Sequence, residues 1–258
     1  MAALALAIAL AAGGSGATAA QEGQKTVLRV AAAADLQFAL EEIAAAWQKQ
    51  APGREARVSY GSSGNFFAQI SNGAPFDLYL SADMSYPRKL VEAGLGLKGS
   101  EFDYAIGRLV VWVPKASPLD VGKLGIKTLL DPKVRRIAIA NPGHAPYGKA
   151  AVAALRSLGV YPAAQQKLVF GENVAQAAQF VQSGNADAGL LPLSLALAPT
   201  LQREGRFWLV PEDAYPTMEQ GGVVVAASPN AAAARIFAAY LTGPEGRATF
   251  ERYGFRLH

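Results

Sequence analysis

The sequence predicts an α/β protein of two lobes, each a mainly parallel sheet flanked by helices. Strand-like runs alternate with helix-like runs over most of the 258 residues, as is typical of parallel sheets with crossover helices. The chain contains two such series of similar length. Long extended segments near 105–114 and 220–228 lie between them. We therefore expect two hinge crossings, the second of which returns the chain to the first lobe.

The first series predicts lobe I, residues 21–106 together with 223–258. It opens on a β-rich run at 27–33, and apolar residues then recur at helical spacing in 36–50. A short helix should follow the segment 61–64. The other expected elements of this lobe are strands at 57–60, 77–81 and 222–227 and two C-terminal helices at about 230–242 and 244–253.

The second series predicts lobe II, residues 107–222. A single long strand at 104–113 should lead into it, because Pro114 ends an unbroken β-rich run. Apolar residues at positions i, i+3, i+4 and i+7 predict a helix that starts at Val174. Further strands are expected at 136–141, 167–170, 188–193 and 207–210, and a further helix at 147–158.

The N-terminus predicts export from the cytoplasm. Residues 1–12 are almost wholly Ala, Leu and Ile, and Ala17-Thr18-Ala19 fits a small-residue cleavage site. We interpret residues 1–20 as a signal peptide, although an Ala-rich terminal helix or a flexible leader is the alternative. No later segment reaches transmembrane length. The sequence therefore predicts a soluble periplasmic protein.

Composition excludes several classes of site. There is no cysteine, so disulfides, thiolate metal sites and a cysteine nucleophile are excluded. The net charge of +4 is dispersed, without a run of four basic residues, which argues against a nucleic-acid partner. No metal-ion or cofactor motif is present, and we expect a monomer without a cofactor.

Four segments place small or polar residues where a helix is about to begin. They all follow predicted strands, two in each lobe. A helix N-terminus offers unpaired backbone N–H groups and about half a positive charge, so several that converge form an anion site. We expect this site in the cleft between the lobes. The segments are Ala-Ala-Ala-Asp at 32–35, Gly-Ser-Ser-Gly at 61–64, Ala-Pro-Tyr-Gly at 145–148 and Glu-Asn-Val at 172–174.

The same segments, within longer blocks, resemble the periplasmic molybdate-binding proteins of ABC importers, which are type II periplasmic binding proteins. The similarity covers essentially all of 25–258, with the blocks in family order. It implies a two-lobed binding protein that closes on a tetrahedral oxyanion, molybdate and also tungstate, and delivers it to a membrane permease. The blocks are Gly-Ser-Ser-Gly-Asn-Phe-Phe-Ala-Gln-Ile from Gly61, Tyr-Ala-Ile-Gly-Arg-Leu-Val from Tyr104, Ile-Ala-Asn-Pro-Gly-His-Ala-Pro-Tyr-Gly from Ile139 and Glu-Asn-Val-Ala-Gln-Ala from Glu172.

The resemblance implies particular ligand contacts. Ser63 should donate through its hydroxyl and its backbone N–H, and Val174 through its backbone N–H. Tyr147 should donate through either its hydroxyl or its backbone. The contact in the first loop falls on Asp35, where familiar members carry a small neutral residue such as Ser or Asn. Two weaker candidates, Ala34 and Ser62, complete the set.

Asp35 is the residue at which this interpretation can fail. A deprotonated tetrahedral dianion offers only acceptors, so a selective site should supply only donors. An ionised carboxylate about 4 Å from a dianion would cost on the order of 8 kcal/mol at an effective dielectric constant near 20. Asp35 could instead cap helix 36–50, which we favour, or be protonated. Otherwise the ligand differs from that of the family.

Other functions remain open at this point. Serine hydrolysis is disfavoured because no G-x-S-x-G segment surrounds Ser62 and Ser63, and neither His144 nor His258 has an evident orienting partner, so we expect no enzyme. The sensor half of a transcription regulator would need an attached DNA-binding segment. Within the binding-protein class, sulfate, phosphate or a small organic anion is the alternative ligand.

Overall fold

The computed structural model describes residues 26–50 and 52–258, and within them ten strands form two five-stranded sheets. The predicted signal peptide at 1–20 lies outside the described residues. The strands are β1 (Thr26–Ala33), β2 (Arg54–Gly61), β3 (Leu78–Ser81), β4 (Phe102–Gly107), β5 (Leu109–Pro114), β6 (Ile137–Ala140), β7 (Leu168–Gly171), β8 (Ala188–Pro192), β9 (Gly205–Leu209) and β10 (Met218–Val224).

Helices cover the sheets and connect the strands. Short 3₁₀ turns at 34–36, 125–130, 165–167 and 212–214 supplement them. The α-helices are α1 (Gln37–Gln50), α2 (Ser63–Ser71), α3 (Ser85–Glu92), α4 (Val121–Leu124), α5 (Pro146–Ser157), α6 (Tyr161–Ala164), α7 (Val174–Gln182), α8 (Leu193–Ala196), α9 (Pro199–Glu204), α10 (Ala231–Thr242) and α11 (Pro244–Arg252).

The two sheets have the same plan. The first has the order β2-β1-β3-β10-β4, in which β10 runs antiparallel to both of its neighbours. The second has the order β7-β6-β8-β5-β9, in which β5 is the antiparallel strand. Each antiparallel strand is the one that directly follows a crossing from the other sheet. The predicted two-lobed α/β architecture is confirmed.

The chain passes between the sheets twice. The first crossing is Arg108, between β4 and β5, and the second is the segment 210–217, between β9 and β10. Arg108 forms an ion pair with Glu212 of the second crossing (Nε to Oε1, 3.1 Å), and Arg256 near the C-terminus contacts the other oxygen of Glu212 at 3.0 Å. These ion pairs hold the two crossings side by side.

The crossings differ from two expectations. The single strand predicted at 104–113 is wrong: it is two strands that belong to different sheets and meet at Arg108. The lobe boundaries remain a prediction, but the pairing of β10 with β3 and β4 favours placing 218–222 in lobe I rather than in lobe II.

Apolar residues at the predicted spacing fill each lobe. In lobe I, Leu40, Ile43 and Trp47 of α1 are buried against the first sheet, and Trp47 packs on Phe237 with ring centroids 4.8 Å apart. In lobe II, residues 109–113 of β5 and all residues of β6 are buried under α5 and α7. Burial of such side chains contributes about 1.5–3 kcal/mol each. Among the described helices, none is long and apolar enough to span a membrane.

Candidate functional site

One small cavity between the lobes brings together all six residues singled out in the sequence. Its volume is only about 10 Å³, close to the space of a single water and far below the roughly 300–1,000 Å³ of pockets for drug-sized ligands. Among the described residues, no lysine or arginine lines it. The lining residues are Ala33, Ala34, Asp35, Gly61, Ser62, Ser63, Ala82, Ala145, Pro146, Tyr147, Asn173 and Val174.

Four helical segments point their N-termini at this cavity. The 3₁₀ turn 34–36 and α2 begin where β1 and β2 end, and α5 and α7 begin after β6 and β7. The carboxyl ends of parallel neighbouring strands lie at one edge of a sheet, so each lobe presents two helix starts to the cleft. The first N–H groups of a helix have no partner inside the helix. The cavity therefore offers a set of fixed amide donors.

Side-chain caps use some of these donors and leave others. In α2 the Ser62 hydroxyl accepts from the N–H of Asn65 at 3.4 Å. In α7 the Asn173 side chain accepts from the N–H groups of Ala175 and Gln176 at 2.9 and 3.1 Å. The N–H groups of Ser63 and Val174, the first residues of these helices, are thus left for a ligand.

Ser63 is also oriented to donate through its hydroxyl. It is fully buried, and its Oγ accepts a hydrogen bond from the N–H of Ala82 at 3.0 Å. A hydroxyl has one proton and two lone pairs, so its proton remains available. The Ser63 carbonyl is held by the hydroxyl of Tyr79 at 2.7 Å, which fixes the turn. Ser63 thus presents two donors from one rigid position.

A buried polar cluster lies beside the donors. Gln220 of β10 donates through Nε2 to Asp35 Oδ2 at 2.7 Å and to the Tyr147 hydroxyl at 3.1 Å. Asp35 Oδ1 and Gln220 Oε1 have no hydrogen-bond partner among the described residues. The cluster joins residues of both lobes. Because the Tyr147 hydroxyl faces Gln220 and Asp35, the start of α5 favours the backbone of Tyr147 as its donor to a ligand.

The expected cap of helix 36–50 by Asp35 is wrong. The carboxyl binds Gln220 instead of the helix N–H groups, because the 3₁₀ turn carries it into the interlobe cluster. Burial raises the pKa of Asp35 to about 6, and hydrogen bonds from Gln220 and Tyr147 oppose the rise. Burial and the Asp35 carboxyl raise the pKa of Tyr147 well above its usual range, so the phenol stays neutral.

The two lobes contact each other directly around the cavity. The N–H of Gly64 in lobe I donates to the carbonyl of His144 in lobe II at 2.9 Å. His144 Nδ1 lies 2.8 Å from Ser62 Oγ, and its Nε2 lies 3.5 Å from a carboxylate oxygen of Glu172. On the other side, Ser194 donates its hydroxyl to the Asp35 carbonyl at 2.7 Å. The lobes are therefore closed over the cavity.

Comparison with known proteins places the chain in a family. Residues 28–256 match the family of bacterial extracellular solute-binding proteins. The chain belongs to this family. The molybdate-binding protein ModA of Rhodobacter capsulatus is 37% identical over 225 residues, which are 87% of this chain and 86% of the relative. The ModA protein of Azotobacter vinelandii is 38% identical over 234 residues, 91% of each chain. The predicted family is confirmed.

A solved structure supports the same assignment. The periplasmic molybdate-binding protein of Azotobacter vinelandii matches this solute-binding protein with a TM-score of 0.83 and 36% sequence identity, over 90% of this chain and 99% of that chain. The two-lobed periplasmic binding protein fold is therefore that of this family.

Some residues of the site escaped the sequence analysis. Gln220 lies in a β-rich segment more than 180 residues after Asp35, so nothing local marks it. Ala82 and Asn173 line the cavity of this solute-binding protein, and the Asn before Val174 was the one available signal, since Asn is a preferred N-cap. His144, for which the sequence shows no evident partner, connects the lobes through Ser62.

A wider cleft opens next to the cavity and shares Ala82 and Pro146 with it. Its lining combines charges of both signs, Asp83 and Glu219 with Arg88 and Lys149, which suits a single oxyanion less well than uniform donors do. Among the described residues, no group of three or more His, Cys, Asp or Glu side chains could hold a metal ion.

Proposed function

We propose that this protein captures a tetrahedral oxyanion, molybdate and also tungstate, in the interlobe cavity and delivers it to an ABC importer. The observation that carries the proposal is the convergence of Ser63, Tyr147 and Val174 on one small cavity between the lobes. These residues come from three helix starts on two lobes. Relatives more than 35% identical to the chain are named for molybdate binding.

The chemistry of the cavity fits such a ligand. The donors are backbone amides and a serine hydroxyl, which neither titrate nor need a counter-ion. A hydrogen bond to a charged group contributes about 1.5–3 kcal/mol. Five or six of them, less the cost of ordering, give the 8–12 kcal/mol of a micromolar-to-nanomolar site.

The proposal includes where and how the protein acts. It is a monomer, it is exported through a signal peptide to the periplasm, and the permease docks on the closed lobes. It has no catalytic role and no cofactor.

Asp35 supports one alternative ligand. A buried carboxylate oxygen without a partner would accept a hydrogen bond from an anion that carries a proton, such as hydrogen phosphate. Molybdate and tungstate are fully deprotonated near neutral pH and offer no such proton. The comparison of protonated with unprotonated anions therefore separates the two proposals.

Titration calorimetry with molybdate, tungstate, chromate, sulfate and phosphate in one buffer tests the function. We expect molybdate and tungstate to bind with a Kd of about 1 µM or tighter, and sulfate and phosphate at least about tenfold more weakly. Tight phosphate binding without molybdate binding would establish the alternative. If neither molybdate nor tungstate binds, the proposal that this protein captures these oxyanions is rejected.

A further inference from the structure

We propose that closure on the oxyanion takes up one proton at Asp35, so that the carboxyl serves the bound state as a neutral acid. The inference rests on the proposed function, because it concerns the same cavity. It makes Asp35 a pH-dependent determinant of affinity in a site whose other donors do not titrate.

The first step concerns burial. Asp35 is 1% exposed in the closed molecule and lines the cavity, so neither water nor bulk counter-ions reach its carboxyl. The carboxyl is stabilised by neutral donors alone, namely the amide of Gln220 at Oδ2, the hydroxyl of Tyr147 and its own backbone N–H, and Oδ1 has no hydrogen-bond partner among the described residues. An ionised carboxylate normally needs several donors or a cation when it is buried to this degree.

The second step concerns the charges that face Asp35. Tyr147 of α5 and Tyr104 of β4 interact with it electrostatically and are neutral phenols whose pKa values burial raises far above the usual range. Ser194 of α8 faces its backbone carbonyl, and Asn173 at the start of α7 lines the same cavity. These groups carry no formal positive charge, so only neutral hydrogen-bond donors and helix starts stabilise a carboxylate there.

A bound oxyanion changes the charge balance at Asp35. A dianion in the cavity would be repelled at close range by an ionised Asp35 carboxylate. Protonation removes this repulsion and converts an acceptor into an O–H donor, the type of group that an unprotonated oxyanion requires. Burial already raises the pKa of Asp35 to about 6 in the closed molecule without an anion, so a modest further rise protonates the carboxyl near neutral pH. The bound anion raises that pKa further.

The proton balance follows directly. One proton moves from the buffer to Asp35 for each anion bound, and no bond in the anion is formed or broken. Above the pKa of the free protein and below that of the complex, affinity should fall about tenfold for each unit of pH. The opposite change, a gain of affinity as pH rises, would require an ionised Asp35 in the complex.

His144 also lies near the cavity mouth. Its imidazole lies between Ser62 and Glu172, 2.8 and 3.5 Å away. Proton uptake by itself therefore does not identify Asp35. The experiment needs one variant at each position and a remote carboxylate as the matched control. Asp187 serves for the latter, because it accepts from the N–H groups of Arg135 and Arg136 at the far end of β6.

The test is molybdate titration calorimetry from about pH 6 to about pH 9, in pairs of buffers with different ionisation enthalpies. The dependence of the observed heat on the buffer gives the number of protons taken up. Above the pKa of the free protein and below that of the complex, we expect about one proton per molybdate for the wild type, for His144→Gln and for Asp187→Asn, and less uptake near pH 6. Asp35→Asn should take up none and bind with pH-independent affinity; Asp35→Ser replaces it if the asparagine variant does not fold.

Each outcome decides the matter. Tight molybdate binding by the wild type without proton uptake overturns the inference and leaves the proposed function intact. Proton uptake that persists in Asp35→Asn, or that is lost in His144→Gln, also overturns the inference and leaves the proposed function intact. If neither the wild type nor Asp35→Asn binds molybdate at any pH, the proposed function itself has failed.

Discussion

At the scale of single residues, the hydroxyl of Ser63 is the side-chain donor on which the site depends most. It accepts from the Ala82 N–H and keeps its proton for the ligand. We predict that Ser63→Ala lowers molybdate affinity about 10- to 100-fold, the loss of one charge-assisted hydrogen bond of about 1.5–3 kcal/mol. Titration calorimetry measures the molybdate affinity of the variant. Ser71→Ala, at the exposed end of the same helix, is the control, and wild-type affinity in Ser63→Ala would contradict the assignment.

Asp77 shows how a buried carboxylate is stabilised when donors surround it. It accepts from the Arg29 backbone at 2.7 Å, from the Arg29 guanidinium at 3.2 Å and from Ser228 at 2.7 Å. Burial would raise its pKa, but the hydrogen bonds from Arg29 and Ser228 outweigh it and lower the pKa. Asp35 has neutral donors alone, the Gln220 amide and the Tyr147 hydroxyl, in place of this set. The contrast explains why the two buried aspartates shift in opposite directions.

We predict that Asp77→Asn destabilises the protein by about 2–3 kcal/mol at neutral pH, since it leaves Arg29 without its carboxylate. Because the folded-state pKa of Asp77 is lowered, its contribution is present above the unfolded-state pKa and is lost as the pH falls through the folded-state value. The difference between wild type and variant should therefore shrink below about pH 4. Urea unfolding at several pH values measures it. A difference that stays constant down to pH 2 would be inconsistent with this role.

At the scale of secondary structure, the cap of α7 controls both stability and charge at the cavity. Asn173 accepts from two N–H groups and lines the cavity. Asn173→Ala should cost about 1 kcal/mol of unfolding free energy. Asn173→Asp should cap equally well, but it adds a carboxylate next to the ligand and should abolish most of the affinity. Thermal unfolding and calorimetry on both variants separate the two effects; an aspartate variant that binds molybdate normally would refute the geometry.

Most of the fold could be predicted because its signals are local. The apolar spacing of 36–50 and the N-cap before Val174 depend on neighbours within a few turns. The break at Arg108 could not be predicted, because the two strands that meet there are equally β-rich and differ only in the sheet that they join. α3 was missed because its buried face consists of only Pro87 and Leu90.

Some residues of the candidate site could likewise be predicted from local sequence signals, and others could not. Ser63, Tyr147 and Val174 stand at helix starts that the sequence marks, so they could be proposed before the structure was known. The environment of Asp35 could not, since Gln220 arrives from a strand 185 residues away. A carboxylate before a helix is usually a cap; here the tertiary partner outweighs that local preference.

At the scale of the whole molecule, the two lobes can approach closely because glycines stand at two of their contacts. A Cβ on Gly107, next to the first crossing, would lie 2.3 Å from the Tyr147 hydroxyl and 2.5 Å from Gln220 Nε2. A Cβ on Gly64 would lie 2.7 Å from the His144 carbonyl oxygen, which is backbone of the other lobe. The contact at Gly64 is with backbone and cannot relax by a rotamer change, and the contacts at Gly107 are with side chains of the buried interlobe cluster, so both glycines permit closure.

Gly64→Ala tests whether closure needs this glycine. The substitution should leave the folded protein as stable or more stable, but it should hinder closure of the lobes. Gly64 lies within α2, where alanine is favoured over glycine by up to about 1 kcal/mol, so the melting temperature should be unchanged or higher. The added methyl group should separate α2 from His144 and lower molybdate affinity at least about tenfold, the equivalent of one lost hydrogen bond between the lobes. Small-angle scattering should show a smaller decrease in radius of gyration on molybdate binding. Gly122→Ala, where the nearest atom is 3.5 Å away, should behave as the wild type. Equal affinity in the two variants would mean that the lobes need not approach this closely.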